Sequence, residues 1–271
     1  MATDNVSSMK SMKSTKSAKS AKSAKSAKSA KSAKNSATVG KRMTKKQAAE
    51  AARMAVIVEQ LKAVYPDAVC ALEWGGQQGG DREGLLRDGW KLLVMGRLSA
   101  QCTDARVNVV CRELFEKFPT VEALAEGELS EIEAIVRPCG LYRVKAQNIK
   151  DACGILVADH NGIVPDDMET LLTLPGVGRK IANLLLGDIY KKGGVVTDTH
   201  CIRICGRLGF YDETLKDPLK VERILTPLIQ EAEQSDFCHR IVQFGRDTCT
   251  ARAPACEGCP LRAFCKRGNG S

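Results

Sequence analysis

The sequence predicts an all-α fold, and three observations carry that reading. Apolar residues recur at helical spacing through most of the chain. Capping signals open these stretches, and glycine or proline closes them. The only strand-like fragment, Gly194-Val195-Val196-Thr197, is too short to count. Taken in order, Thr44-Lys-Lys-Gln47 reads as a capping box, and Met54, Ile57, Leu61 and Val64 form the stripe behind it. The glycine-rich stretch Gly75-Gly76-Gln77-Gln78-Gly79-Gly80 is a loop. Trp90 to Ala100 is a mostly apolar helix. Val107, Val110, Leu114 and Phe118 mark the next, which Pro119 ends. Thr120 and Ser130 each open a short helix, Ser130 with Glu133 at the capping-box position. Residues 143–160 form another, stopped by Asn161-Gly162. Pro218 suits a first helical turn and leads Val221, Ile224, Leu225 and Leu228.

The 271 residues are enough for one large domain or two modest ones. The net charge of +9 is unevenly placed. Nine lysines recur every third residue from Lys10 to Lys34, against Asp4 alone, so the remainder of the chain is close to neutral. If that remainder binds nucleic acid, it must use a local patch and backbone contacts. The Ser-Ala-Lys repeat has no apolar periodicity to repay ordering entropy, so residues 1–40 are expected to be a disordered tail. The tail reads as a polycationic arm holding nucleic acid non-specifically, or as a solubilising extension. There is no apolar signal segment and no run approaching a membrane span. The twelve cysteines are therefore placed in a reducing cytosol, most as small buried groups.

Four of them stand apart. Cys249, Cys256, Cys259 and Cys265 follow C-x6-C-x2-C-x5-C within 17 residues. Thiolates crowded this way point to a metal rather than disulfides. The spacing fits neither paired C-x2-C zinc sites nor the bacterial ferredoxin run, so zinc and a [4Fe–4S] cluster both remain open on spacing alone.

Residues 167–187, DMETLLTLPGVGRKIANLLLG, read as a helix–hairpin–helix. The first helix ends at Leu174-Pro175 and the second begins at Arg179, with Gly176 and Gly178 flanking Val177. Glycines admit a close backbone approach, and free N–H groups at a helix start face an anion, for which a DNA phosphate is the natural candidate. A tight turn between packed helices is the plainer reading. Lys180 is the second residue of the second helix. The positive helix end, neighbouring Arg179 and burial would each disfavour its ammonium form. A neutral amine there is a candidate Schiff-base nucleophile, against the plainer role of a phosphate contact. Eighteen residues on, Asp198 precedes another helix start, where an N-cap and a catalytic carboxylate are compatible roles. His200 reads as structural.

With LPGVGRK, Val196-Thr-Asp-Thr-His200 and the cysteine quartet in this order, the chain from about Thr44 to Lys266 resembles endonuclease III, a helix–hairpin–helix DNA glycosylase and abasic-site lyase. The segments 98–104, 140–149 and 159–167 resemble the family's as well. The resemblance implies a two-lobed fold. Residues 70–190 would be a six-helix domain containing the hairpin, and residues 41–69 with 191–271 would form a discontinuous [4Fe–4S] domain. It implies damaged duplex DNA as substrate, oxidised pyrimidines as the lesion, Lys180 as nucleophile, Asp198 as its assistant, and β-elimination 3′ to the abasic site. Gln101 and Leu141 would fill the gap left by the flipped nucleotide and wedge the opposite strand. Pro175, Gly176, Val177, Gly178, Arg179 and Arg252 would contact DNA, and the four cysteines would hold the cluster. A monomer is expected, cytoplasmic and, in a bacterium, associated with the nucleoid. Gly96 and Arg97 stand where the family tends to be apolar, Thr197 departs likewise, and 75–89 has no family counterpart. The rival readings are a non-catalytic DNA-architectural protein, a monofunctional adenine-type glycosylase and, with less to recommend it, a purely redox iron–sulfur protein. The adenine branch lacks a lysine at the position of Lys180.

Overall fold

Helices carry the architecture of the computed structural model, which describes residues 44–76 and 81–269. The expected tail at 1–40 and residues 77–80 of the glycine-rich stretch lie outside the described residues. Helix α1 (Lys45–Val64) opens on the expected capping box. Gln47 N–H donates to Thr44 Oγ1 at 3.2 Å, and Thr44 N–H donates to Gln47 Oε1 at 2.9 Å. Met54, Ile57 and Leu61 are buried, while Val64 in the last turn is left exposed.

Helix α2 (Arg82–Leu98) corrects the expected start at Trp90. It begins eight residues earlier, where Asp81 caps Gly84 N–H at 2.7 Å, and ends at Leu98 rather than Ala100. Its glycines hid it: they carry low helix propensity but serve packing. A Cβ on Gly89 would lie 2.8 Å from Ile189, and one on Gly96 3.3 Å from Ile181, so both glycines mark where α2 approaches a later helix. Most of 75–89, the stretch read as having no family counterpart, is thus the first half of a core helix.

Helix α3 (Asp104–Lys117) and α4 (Val121–Glu126) start at Thr103 and Thr120, each capping through its hydroxyl. Helix α5 (Leu129–Val136) does not start at Ser130. Glu128 occupies the cap position without a side-chain bond, and Leu129, packed against the core, already belongs to the helix. A 3-10 turn at Arg137–Cys139 leads into α6 (Tyr142–His160), which ends at Asn161 and Gly162, both left-handed as expected. Then come α7 (Met168–Leu171), α8 (Arg179–Tyr190) and α9 (Thr199–Leu208). The chain closes with α10 (Pro218–Leu225), α11 (Gln234–Asp247) and α12 (Lys266–Asn269). Among the described residues there is no strand, and Gly194–Thr197 is irregular backbone.

Two apolar cores form. One gathers Cys70, Leu72, Trp74 and the inner faces of α2 to α8. The other joins Met54, Ile57 and Leu61 of α1 to Ile204, Val221, Phe237, Phe244 and Leu261. Helices α8 and α11 meet between them. Gly187 is required there, since a Cβ would fall 2.8 Å from that of Ser235. Beside it the buried Asp188 accepts from Ser235 Oγ at 2.7 Å and is bonded to His239 Nε2 at 2.8 Å. Burial pushes the Asp188 carboxyl up, but these bonds outweigh it and hold it below the usual value. Among the described residues no helix is long and apolar enough to cross a membrane.

Candidate functional site

A cleft of about 1090 Å³ runs between the two sets of helices, lined on one side by Gly96, Gln101, Asn108 and Lys180 and on the other by Asp198, His200, Val242 and Arg246. Arg246 reaches across it to Asp104 at the start of α3, 2.5 Å away. The hairpin delivers Lys180. Gly178 is the N-cap of α8 and no side chain caps it, so the first N–H groups of the helix are left for another acceptor. A Cβ on Gly178 would meet nothing within 4 Å, which marks an open surface. Val177 is buried and pins the turn to the first core.

Gly176 also meets a packing demand inside the protein. Its φ is +76°, and a Cβ would lie 2.4 Å from Arg97 Nε. Arg97 donates from Nε and Nη2 to Asn148 Oδ1 at 3.0 and 2.8 Å, so it lies against Gly176 and ties α2 to α6. This answers where the unexpected arginine goes. Gly176→Ala is expected to lower stability by roughly 1–3 kcal/mol in denaturant unfolding, through the left-handed backbone and a displaced Arg97. An unchanged midpoint would contradict this packing.

Two of the influences expected to favour a neutral Lys180 are changed by the structure. Lys180 is exposed in the cleft rather than buried. Arg179 is paired with Glu222 of α10, Nε to Oε2 at 3.0 Å and Nη2 to Oε1, so its charge is offset locally. The same pair holds the Arg179 guanidinium against α10.

Asp198 caps α9, accepting from Cys201 N–H at 2.7 Å, and is part of the cleft wall. One carboxylate oxygen is thereby fixed. His200 lies half-buried beside it, its Nδ1 3.2 Å from Arg203 Nη2. Burial first, then the nearby arginines, depress its pKa against the pull of Asp198. Gln101 lines the cleft and Leu141 does not; Leu141 stands 65 % exposed on the turn before α6. Both are left-handed, with φ of 57° and 48°. Pro175 is partly buried in the hairpin, and Arg252 is exposed.

The four C-terminal cysteines surround a small apolar cavity of about 30 Å³ with Ile204, Phe244 and Leu261. The surroundings suit thiolates bound to a cationic centre. Buried Arg207 donates to Cys249 Sγ at 3.3 Å, and Gly268 N–H donates to Cys265 Sγ at 3.4 Å. Burial, then the three other thiols, push Cys259 up, a cost that a bound metal removes. Arg207 also binds Thr250 O and Ala251 O, and Arg203 binds Cys249 O. The loop carrying the first ligand is thus fastened to α9, the helix that Asp198 caps. Downstream, Lys266 folds over Gly209 and Arg267 pairs with Glu213 at 3.1 Å.

Sequence reasoning missed Asp104, Arg246, Asp188 and His239. It also passed over Lys145, whose one signal was a lysine on the apolar face of α6, between Leu141 and Ile149.

Residues 94–231 match the HhH-GPD superfamily of base excision DNA repair proteins, and residues 249–265 match the iron–sulfur binding domain of endonuclease III. Endonuclease III of Synechocystis sp. is 40% identical over 230 residues, which is 84% of this chain and 99% of that protein. A solved non-covalent endonuclease III–DNA complex superimposes with a TM-score of 0.71 at 37% identity, covering 81% of this chain and 97% of that one. A trapped endonuclease III–DNA covalent intermediate does so at 0.70, also 37% identical and with the same coverage. These matches decide the metal for iron–sulfur: the chain belongs to the endonuclease III family and is a bifunctional DNA glycosylase and abasic-site lyase of base excision repair that binds a [4Fe–4S] cluster.

Proposed function

We propose that this enzyme removes oxidised pyrimidines from duplex DNA with Lys180 as nucleophile and Asp198 as its charge partner. The observation that carries this is their placement: both line one cleft, each fixed at the start of a helix by its own local motif. The N–H groups of the hairpin, from Gly178 into α8, grip a backbone phosphate, with Pro175, Gly176 and Val177 shaping the turn and Arg252 adding a cation. A lesion nucleotide is turned out of the stack into the cleft. Lys180 Nζ then attacks C1′, the bond from C1′ to the base breaks, and the base leaves. The C1′–N link becomes a Schiff base as the C1′–O4′ bond breaks and the ring oxygen takes up a proton as the 4′-hydroxyl. Loss of a proton from C2′ breaks the bond to the 3′ oxygen, which cuts the strand 3′ to the abasic site. Asp198 stabilises positive charge on the sugar and takes a proton from the attacking amine. Gln101 and Leu141 occupy the space left behind and wedge the opposite strand.

Cys249, Cys256, Cys259 and Cys265 hold the cluster, which supplies a rigid anchor. Through Arg203 and Arg207 it steadies α9 and therefore Asp198. The two cores support a division into a helical domain over 70–190 and a discontinuous iron–sulfur domain from 41–69 and 191–271. The protein works as a monomer in the cytoplasm near DNA, with the Lys/Ser/Ala tail adding non-specific attraction to nucleic acid.

Duplexes carrying single lesions test this. Cleavage is expected at thymine glycol and at an abasic site, and not at a mispaired adenine. Loss of residues 1–40 is expected to weaken binding at low salt and leave the single-turnover rate unchanged. Adenine removal without strand cutting would favour the adenine-type enzyme, and tight binding without any cleavage would favour an architectural protein.

A further inference from the structure

Lys145 is completely buried, yet both of its hydrogen-bond acceptors are neutral main-chain carbonyls. Its Nζ donates to Leu98 O at 2.9 Å and to Cys139 O at 2.8 Å. Leu98 is the last residue of α2, and Cys139 is the last residue of the 3-10 turn before α6. Helix ends of this kind carry unpaired carbonyls and a partial negative charge, which an ammonium satisfies. Desolvation lowers the pKa of Lys145, so the position is held against a cost that an apolar residue would avoid.

Each of the two carbonyls lies within three residues of a left-handed turn. Gln101 comes three residues after Leu98, and Leu141 two residues after Cys139. Both are left-handed, and Gly140 between Cys139 and Leu141 has φ 67°. A left-handed non-glycine residue is disfavoured and persists only where its surroundings over-determine it. Two such residues, on loops 40 positions apart, share one buried ammonium as a common tie. The Cys102 and Cys139 thiols also meet between these loops, and the exposed Arg106 approaches Pro138 O at 3.5 Å, but neither contact supplies a donor to the Leu98 and Cys139 carbonyls.

We propose that Lys145 is a positioning residue for DNA distortion, which fixes the spacing between Gln101 and Leu141 so that both enter the duplex together. This rests on the reading that those two fill the gap and wedge the opposite strand. Lys145 touches no DNA in this account and acts only through the two turns. A methionine would fill its volume but leave both carbonyls without a donor. The turns would then relax independently, and the extruded nucleotide would be held less often.

The test is single-turnover cleavage of a duplex with one abasic site and 2-aminopurine opposite it, followed in rate and in fluorescence. The holoenzyme is compared with Lys145→Met, Lys145→Gln, the pair Gln101→Ala/Leu141→Ala, and that pair with Lys145→Met added. Lys145→Met is expected to lose roughly 10- to 100-fold in rate below saturation. It should also lose most of the fluorescence rise, with cluster absorbance and helix content kept. Lys145→Gln, a shorter donor, is expected to fall between, and it carries the test if the methionine variant does not hold its cluster. Because Lys145 acts through the pair, the triple variant is expected to lose no more than the pair alone. Lys145→Met within about twofold of wild type, or losses that multiply in the triple variant, would overturn the proposal. If instead the pair itself leaves rate and fluorescence unchanged, the wedge reading of Gln101 and Leu141 fails first and takes this one with it.

Discussion

Lys180→Ala is expected to lose abasic-site cleavage by at least about 10³-fold in single-turnover assays, because no other group replaces a covalent nucleophile. Binding to the same duplex should change little. The phosphate grip is attributed to main-chain N–H groups of Gly178 and the first turn of α8, which the substitution leaves in place. Stability should hold within about 0.5 kcal/mol, since Lys180 is exposed and alanine is a good helix former. Lys180→Arg should fail almost as badly, because a guanidinium stays protonated and cannot form the imine. A variant that keeps a tenth or more of the wild-type rate would assign the chemistry to another amine.

The second large effect is expected at Asp198, where one side chain has two separable roles. Asparagine caps helices about as well as aspartate, so Asp198→Asn should keep the bond to Cys201 N–H and the stability of α9. It removes the negative charge that steadies the sugar and accepts the amine proton. The cleavage rate is expected to fall by roughly 10²- to 10³-fold with an almost unchanged unfolding midpoint. Asp198→Ala should add a loss of about 1 kcal/mol in stability from the missing cap. Kinetics and thermal unfolding on the same preparations separate the roles. Full activity in Asp198→Asn would leave Asp198 as a cap and nothing more.

What could be read from the sequence was local. The hairpin glycines, the Asp198 cap and the cysteine quartet each sit within a short window, and each lies where its motif suggested. The capping box at Thr44 and the stop at Asn161-Gly162 were legible for the same reason. Contacts between distant segments were not. Arg246 finds Asp104 from 142 residues away, His239 finds Asp188 from 51, and Lys145 finds Leu98 from 47. No periodicity encodes those meetings. The start of α2 was hidden because Gly84 and Gly89 interrupt its apolar pattern, and only the fold shows that Gly89 admits Ile189. The expected cap at Ser130 lost to the packing of Leu129. The expected burial of Lys180 failed because the hairpin buries Val177 and turns the start of α8 outward into the cleft. Spacing alone also left the metal open, and the match of 249–265 to the iron–sulfur domain decided it.

Borohydride trapping on abasic-site duplex decides whether one amine in this cleft carries the reaction. Reduction during turnover converts the Schiff base to a stable amine, and proteolysis with mass spectrometry locates the attached sugar. A single adduct is expected on the peptide containing Lys180, and none from Lys180→Ala under the same conditions. An adduct on a different lysine, or strand cleavage by the wild-type enzyme with no adduct at all, would contradict it.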